Sequence, residues 1–280
     1  MNKNIYPCIW FNNNAKQAAD FYCSVFPNSQ IISSNPMVTI WELYDQQFMG
    51  LNGGAMFSPN ASISFFVICD TNEEVDRIWN RLTEGGRIMM PLDKYDWSEH
   101  YGFLQDKFGV AWQIFKGAHN TLNQKIVPCF LFTGDKFGRA NEAMLFYTKV
   151  FSPSNIDSIR WYDVSEMQQE GIIKHAEFTI DGNVYKAMDG PGNHNFTFSE
   201  GLSFVINCDT QEQIDYYWNS FTKDGGEESM CGWCKDKFGV SWQVVPSILG
   251  KLMNDADKSQ RVMQAFMQMK KFDIQTLLDA

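Results

Sequence analysis

Cys231-Gly-Trp-Cys234 is the first candidate for chemistry. Two thiols at this spacing can form a redox pair or half of a metal site. Redox pairs sit at a helix N-terminus, where the thiolate is stabilised. This pair precedes a turn and a strand, and residues three apart on a regular strand face opposite sides. No second Cys pair completes a zinc site. Two incidental thiols are therefore expected, with Cys231 and Trp233 kept as ligand-contact candidates. A second cluster, Asp93, Tyr95, Trp97, His100 and Tyr101, reads as a loop of mixed polar and aromatic groups. Such a loop can lid a pocket. Trp97 and Tyr101 would then touch a ligand. His100 is a weak catalytic candidate, because imidazole titrates near neutrality. The simpler reading is an exposed loop that packs on the second half of the chain. The histidines are His100, His119, His175 and His194, and none falls on a strand read here as the first or last of a domain. Asp70 and Asp209, each in Cys-Asp-Thr, read as helix starts. No Ser/His/Asp set, Walker loop or dinucleotide fingerprint is visible.

The elements that must position these groups come in duplicate. Tyr6-Pro-Cys-Ile-Trp-Phe11 answers Val127-Pro-Cys-Phe-Leu-Phe132. Ser64-Phe-Phe-Val-Ile-Cys-Asp-Thr71 answers Ser203-Phe-Val-Ile-Asn-Cys-Asp-Thr210. Asp106-Lys-Phe-Gly-Val-Ala-Trp-Gln113 answers Asp236-Lys-Phe-Gly-Val-Ser-Trp-Gln243. Three blocks in one order indicate a tandem duplication. The boundaries read as a first domain at 1–116, a linker at 117–125, a second domain at 126–246 and a helical tail at 247–280. In the tail, Val262, Ala265, Phe266 and Met269 share one helical stripe that is expected to pack on a domain.

Within each copy, hydrophobic period separates the elements. Ile5–Phe11 reads as a strand and Ala15–Phe26 as a helix stopped by Pro27. Met37–Leu43 and Gln47–Leu51 read as strands. Ile63–Ile68 is a continuous apolar run, hence a strand buried on both faces. Thr71 and Glu74 suggest a capping box for the next helix, which ends at Gly85-Gly86. Asp106–Gly109 reads as a turn before a closing strand at Val110–Phe115. A helix separated by several strands favours α+β, as two βαβββ modules per copy.

Bulk properties exclude several function classes. The 280 residues suit two domains. The net charge is −10 and no Lys/Arg cluster appears, so no nucleic-acid partner is expected. No apolar run approaches a membrane span, and the first residues do not read as a signal peptide. Seven cysteines, an odd number, suit reduced thiols in the cytoplasm. Aromatic residues reach 15%, enough to fill cores and also line pockets.

Pro-Cys-Ile-Trp-Phe with Ala-Asp-Phe-Tyr-Cys-Ser-Val-Phe resembles the opening of PhnB-like domains. Pro-Leu-Asp-Lys-Tyr-Asp-Trp-Ser-Glu-His-Tyr-Gly before Asp-Lys-Phe-Gly-Val-Ala-Trp-Gln resembles them too, as does Gly-Gly-Glu-Glu-Ser-Met-Cys-Gly-Trp-Cys-Lys-Asp-Lys-Phe-Gly-Val-Ser-Trp-Gln in the second copy. The likeness covers nearly the whole chain. It places the protein in the PhnB-like branch of the vicinal-oxygen-chelate (VOC; glyoxalase, bleomycin-resistance and dioxygenase) superfamily. It implies tandem duplicated glyoxalase-like domains, each of two βαβββ modules whose curled mixed sheets surround a cavity. Superfamily enzymes hold a divalent metal there with His, Glu or Gln. Aligned on this sequence, those positions fall on Pro7, Gln113, Pro128 and Gln243, with only the hydroxyls of Ser64 and Ser203 near the remaining one. Proline has no donor, and a Gln carbonyl is a weaker ligand than a carboxylate. No metal and no other cofactor is therefore expected, with a divalent metal as the less favoured alternative. Gln113 and Gln243 are the expected polar contacts in the cavities and weak catalytic candidates. The branch also carries the label 3-demethylubiquinone-9 3-methyltransferase, but the Gly-rich loop usual for a sulfonium cofactor is absent from the sequence.

The expected function is small-molecule binding. The alternatives are a metal-dependent lyase, isomerase or dioxygenase, and a structural or interaction protein with filled cores. Whether the chain is an enzyme stays open. Because single-domain relatives pair, the two copies are expected to form an intramolecular pseudo-dimer, with a homodimer as a further option.

Overall fold

A computed structural model describes residues 4–118, 120, 122–167 and 170–280. Four modules of one plan follow each other along the chain. The first is β1 (Ile5–Phe11), α1 (Ala15–Val25), β2 (Ser29–Ser34), β3 (Val38–Leu43) and β4 (Gln46–Asn52). The second is β5 (Ile63–Cys69), α2 (Asn72–Thr83), β6 (Arg87–Tyr95), β7 (Ser98–Gln105) and β8 (Ala111–Lys116). The third is β9 (Ile126–Phe132), α3 (Ala140–Val150), β10 (Ser154–Trp161), the short α4 (Val164–Met167), β11 (Ile173–Ile180) and β12 (Asn183–Asp189). The fourth is β13 (Leu202–Cys208), α5 (Gln211–Thr222), β14 (Glu227–Glu228), β15 (Trp233–Lys235) and β16 (Ser241–Pro246). The tail adds α6 (Leu249–Met253), α7 (Ser259–Phe266) and α8 (Ile274–Asp279). The α+β reading and the four βαβββ modules thus hold. Among the described residues no helix is long and apolar enough to cross a membrane.

Local sequence accounts for the elements. β5 is buried at all seven positions, as a continuous apolar run requires. Thr71 Oγ1 accepts from Glu74 N at 3.2 Å. The Glu74 carboxylate accepts from Asp70 N rather than from the cap residue, so the box is displaced by one residue. α2 then buries Val75, Ile78, Trp79 and Leu82. Each buried side chain of that size contributes roughly 1.5–3 kcal/mol. In the tail, Val262 is buried, while Ala265, Phe266 and Met269 are half-buried.

The chain forms two compact units, residues 8–202 and residues 1–7 with 203–280. In the first unit an eight-stranded mixed sheet runs β10-β11-β12-β9-β5-β8-β7-β6. Its centre is the antiparallel pairing of β5 with β9, from Ile63 opposite Phe130 to Val67 opposite Ile126. The first copy's second module is therefore continuous with the second copy's first module. β8 and β12 run parallel to β5 and β9 on either side. The same unit holds β4, which pairs parallel with β1, and β3 and β2 beyond it. In the other unit β13 pairs parallel with β16, followed by β15 and β14.

One strand is not legible in the sequence, and one expectation needs correction. The polar stretch Ser29–Ser34 is a strand, β2, at a sheet edge, and with serines and a glutamine around Ile31-Ile32 it has no apolar alternation to read. The segment holding Asp93, Trp97 and His100 is not a loop. It is the β6–β7 hairpin, whose outer strand has three register shifts and carries Pro91. Proline and bulges both belong on edge strands.

Candidate functional site

Strand register assembles the site row by row. Residues directly opposite in neighbouring strands share a face. In the eight-stranded sheet of the first unit, one row runs Phe103, Gln113, Phe66, Val127 across β7, β8, β5 and β9. The next runs Ala111, Ser64, Cys129, Lys186, Glu177, Ser158 across β8, β5, β9, β12, β11 and β10. A third brings Leu131 opposite Met188 and His175 opposite Arg160. The other face of the sheet receives the helices. α2 lies so close to β7 that a Cβ on Gly102 would come within 2.3 Å of the Trp79 ring. Burying that face turns Tyr101 and Phe103 to the opposite side.

These rows line a cavity of about 500 Å³, within the range of small-molecule sites. One wall is aromatic: Phe66, Trp97, Tyr101, Phe103 and Phe115. Tyr95 stacks on Trp97 with ring centres 5.0 Å apart, and both meet the Tyr101 ring edge-on. The opposite wall is polar: Arg160, Tyr162, Lys174, His175 and Lys186.

Two polar networks are fixed in place. The Tyr101 hydroxyl donates to Gln113 Oε1 at 2.5 Å, and Gln113 Nε2 donates to Ser64 Oγ at 2.8 Å. Burial holds the Tyr101 phenol well above its usual range, so it is a proton donor, not a phenolate. Lys186, which is 6% exposed, holds Glu177 at 2.6 Å. Its ammonium also lies 5.2 Å from the Phe66 ring centre. Burial, with the Lys186 and Arg160 charges beside it, pushes His175 down to about 3. That imidazole is neutral at pH 7. Burial pushes the Cys129 thiol up to about 12.

The donor set can be compared with the needs of a divalent cation. Gln113 Oε1 already accepts from Tyr101, Glu177 is held by Lys186, and Cys129 keeps its proton. His175 stands between two cations. Among the described residues no group of three or more His, Cys, Asp and Glu is placed to hold a metal ion. These donors do not fit such an ion.

The residues singled out in the sequence scatter. Gln113, Tyr101 and Trp97 come together in the cavity. His100 does not: its Nε2 lies 2.7 Å from Asp76 on α2, on the helix-covered face. Pro128 stands opposite Phe65, which pairs with Trp112, so it too is on the helix face. Cys129, one residue on, is the cavity-facing neighbour. Gln243, in the other unit, donates to Ser203 Oγ at 2.9 Å, repeating the Gln113–Ser64 bond. Pro7 is buried in β1. Trp233 stands opposite Gln243. Cys231 sits in a turn at φ +58° and packs against Phe266 and Met267 of the tail. Burial raises both the Cys231 and Cys234 thiols, so neither is an activated thiolate. His194 Nε2 lies 3.1 Å from the Pro191 carbonyl, and His119 lies outside the described residues. Sequence reasoning missed His175, Glu177, Lys186 and Arg160. The available signal was Glu177 and His175 at period 2 in Ile173–Ile180.

Comparison with known proteins agrees with this architecture. The family described as 3-demethylubiquinone-9 3-methyltransferase matches twice, over residues 3–115 and 124–245. A Bacillus cereus structure described as a PhnB protein of that methyltransferase type is 31% identical. It covers 40% of this chain and 98% of its own, with a TM-score of 0.38. Glyoxalase I from Zea mays is 12% identical over 86% of this chain and 92% of its own, with a TM-score of 0.55. A point mutant of that maize enzyme is 13% identical over 87% of this chain and 94% of its own, with a TM-score of 0.56. This likeness is one of fold. No curated protein matches the chain. With both halves matched, the chain belongs to the family described as 3-demethylubiquinone-9 3-methyltransferase, in tandem duplicate, and the fold of glyoxalase I spans both copies.

Proposed function

We propose that this protein binds a small molecule, with an apolar, ring-bearing body, in the cavity between β5–β8 and β9–β12, without a resident divalent metal. The observation that carries the reading is a cavity of about 500 Å³ whose apolar wall is organised around the fixed Tyr101–Gln113–Ser64 network. A merely structural domain would fill this space, because interiors are packed to near-crystalline density. The methyl transfer in the family description would bring a sulfonium cation to the site. Arg160, Lys174 and Lys186 on one wall disfavour such a guest. The two copies work as an intramolecular pair, since each contributes one wall. The seven free cysteines suit a reducing compartment such as the cytoplasm.

The test uses N-phenyl-1-naphthylamine, an uncharged fluorescent probe of apolar sites. One equivalent is expected to bind with a Kd on the order of micromolar. Met188→Trp, which puts an indole into the cavity, is expected to weaken binding at least about tenfold. Elemental analysis of protein purified without chelator is expected to give substoichiometric metal, unchanged by Gln113→Ala or Gln243→Ala. Absent dye binding, or binding indifferent to Met188→Trp, contradicts the cavity reading. A stoichiometric metal lost on either Gln substitution contradicts the metal-free reading.

A further inference from the structure

The charged wall of the cavity is not a requirement of the fold, and the duplication provides the comparison. Lys186 stands opposite Cys129 of the second Pro-Cys block, and Met49 stands opposite Cys8 of the first. Glu177 pairs with Lys186, and Ile40 pairs with Met49. Met188 stands opposite Leu131, and Leu51 opposite Trp10. One position further, His175 therefore corresponds to Val38, the partner of Leu51. The same register thus carries His, Glu and Lys in the third module and Val, Ile and Met in the first. The apolar set forms the same three-stranded meander. A buried ion pair is costly, and well-packed apolar residues of similar volume are often as stable or more so. The charges are better explained by what they face.

His175 and Lys186 face the cavity, and the charge balance on that wall is positive. The chain as a whole carries −10, yet Arg160, Lys174 and Lys186 gather on one wall. Glu177 engages Lys186 and Glu166 engages Lys174, at 2.6 and 3.2 Å. Among the described residues no hydrogen bond or ion pair engages the exposed Arg160 guanidinium. An ammonium has three donors, and Glu177 takes one from Lys186. The facing wall is aromatic and uncharged. Resting on the reading above, we propose that the molecule bound there carries an oxyanion, carboxylate or phosphoryl, at the end that meets β10–β12. Arg160 would receive it bidentately, with Lys186 behind and the neutral His175 imidazole beside it.

The probe pair is 1-anilinonaphthalene-8-sulfonate and N-phenyl-1-naphthylamine, which differ by one sulfonate. At low salt the sulfonate dye is expected to bind at least about tenfold more tightly, the effect of one charge-assisted contact. Arg160→Gln is expected to remove most of that advantage and leave the uncharged dye unaffected. The double variant Glu177→Ile, Lys186→Met, which writes the first module's residues into the third, is expected to stay folded by near-ultraviolet circular dichroism and lose the preference. Displacement of the sulfonate dye by benzoate assigns a carboxylate, and by phenyl phosphate a phosphoryl group. Equal affinity for the two dyes, or displacement by neither anion, overturns the oxyanion claim while leaving the cavity reading intact. If the uncharged dye also fails to bind, the cavity reading itself falls.

Discussion

At the scale of single residues, the buried His175 links stability to acid pH. Its ordinary value of 6.5 drops to about 3 in the folded chain. Between those values the unfolded chain binds more protons than the folded one. The group's contribution is therefore intact above about 6.5 and is lost as the pH falls toward 3, at up to about 1.4 kcal/mol per pH unit. Asp106 opposes it. Burial raises that carboxyl from 3.8 to about 6, so its contribution is intact below 3.8 and lost as the pH rises through 6. Comparing wild type with His175→Val, the first module's residue, isolates the imidazole. Urea unfolding at several pH values is expected to give the variant a flatter acid limb, by about 1 kcal/mol per pH unit between roughly pH 6 and 4. Equal slopes would show that His175 is not buried as described. Gln113 could be reached from sequence because the family resemblance places a cavity position there, and the near-identical octapeptide ending in Gln243 repeats it. The repeat does not mark His175, Glu177 and Lys186, because the first copy has Val38, Ile40 and Met49 at those positions; the period-2 spacing of His175 and Glu177 is the one local signal.

At the scale of elements, the repeated octapeptide proves to be a turn held by its first residue. Asp106 Oδ1 accepts from Phe108 N and Val110 N, and Oδ2 accepts from Trp112 Nε1 and the Tyr22 hydroxyl. Asp236 receives Phe238 N, Val240 N and Trp242 Nε1 in the same way. Gly109 and Gly239, at φ +86° and +89°, close the two turns. The motif therefore starts the closing strand in the register that turns Gln113 and Gln243 to their serines. Asp106→Ala strands four buried donors and is expected to cost about 3 kcal/mol or more, read as a lowered denaturation midpoint. A loss below about 1 kcal/mol would mean that water replaces the carboxylate. Strand and helix positions were largely legible, since period and turn residues are local. The β6–β7 hairpin was not. Its register shifts break the alternation that would have marked it, and Trp97 at its tip is 57% exposed, so the segment reads as a loop.

At the scale of the whole molecule, the duplication was legible but the seam was not. Which module pairs with which depends on β5 meeting β9, and nothing in either strand names its partner. Both are short apolar runs, buried along nearly their whole length. That pairing makes the cavity a joint product of the two copies, with Met90 from the first and Met188 from the second on its lining. Methyl NMR of the ¹³C-methionine-labelled chain, titrated with 1-anilinonaphthalene-8-sulfonate, tests this most directly. The Met90 and Met188 signals, assigned by substitution, are expected to shift together and saturate at one equivalent, with Met263 and Met267 of the tail unmoved. Shifts confined to the tail methionines, or a shift in only one of the two cavity signals, would contradict a single binding site spanning the seam.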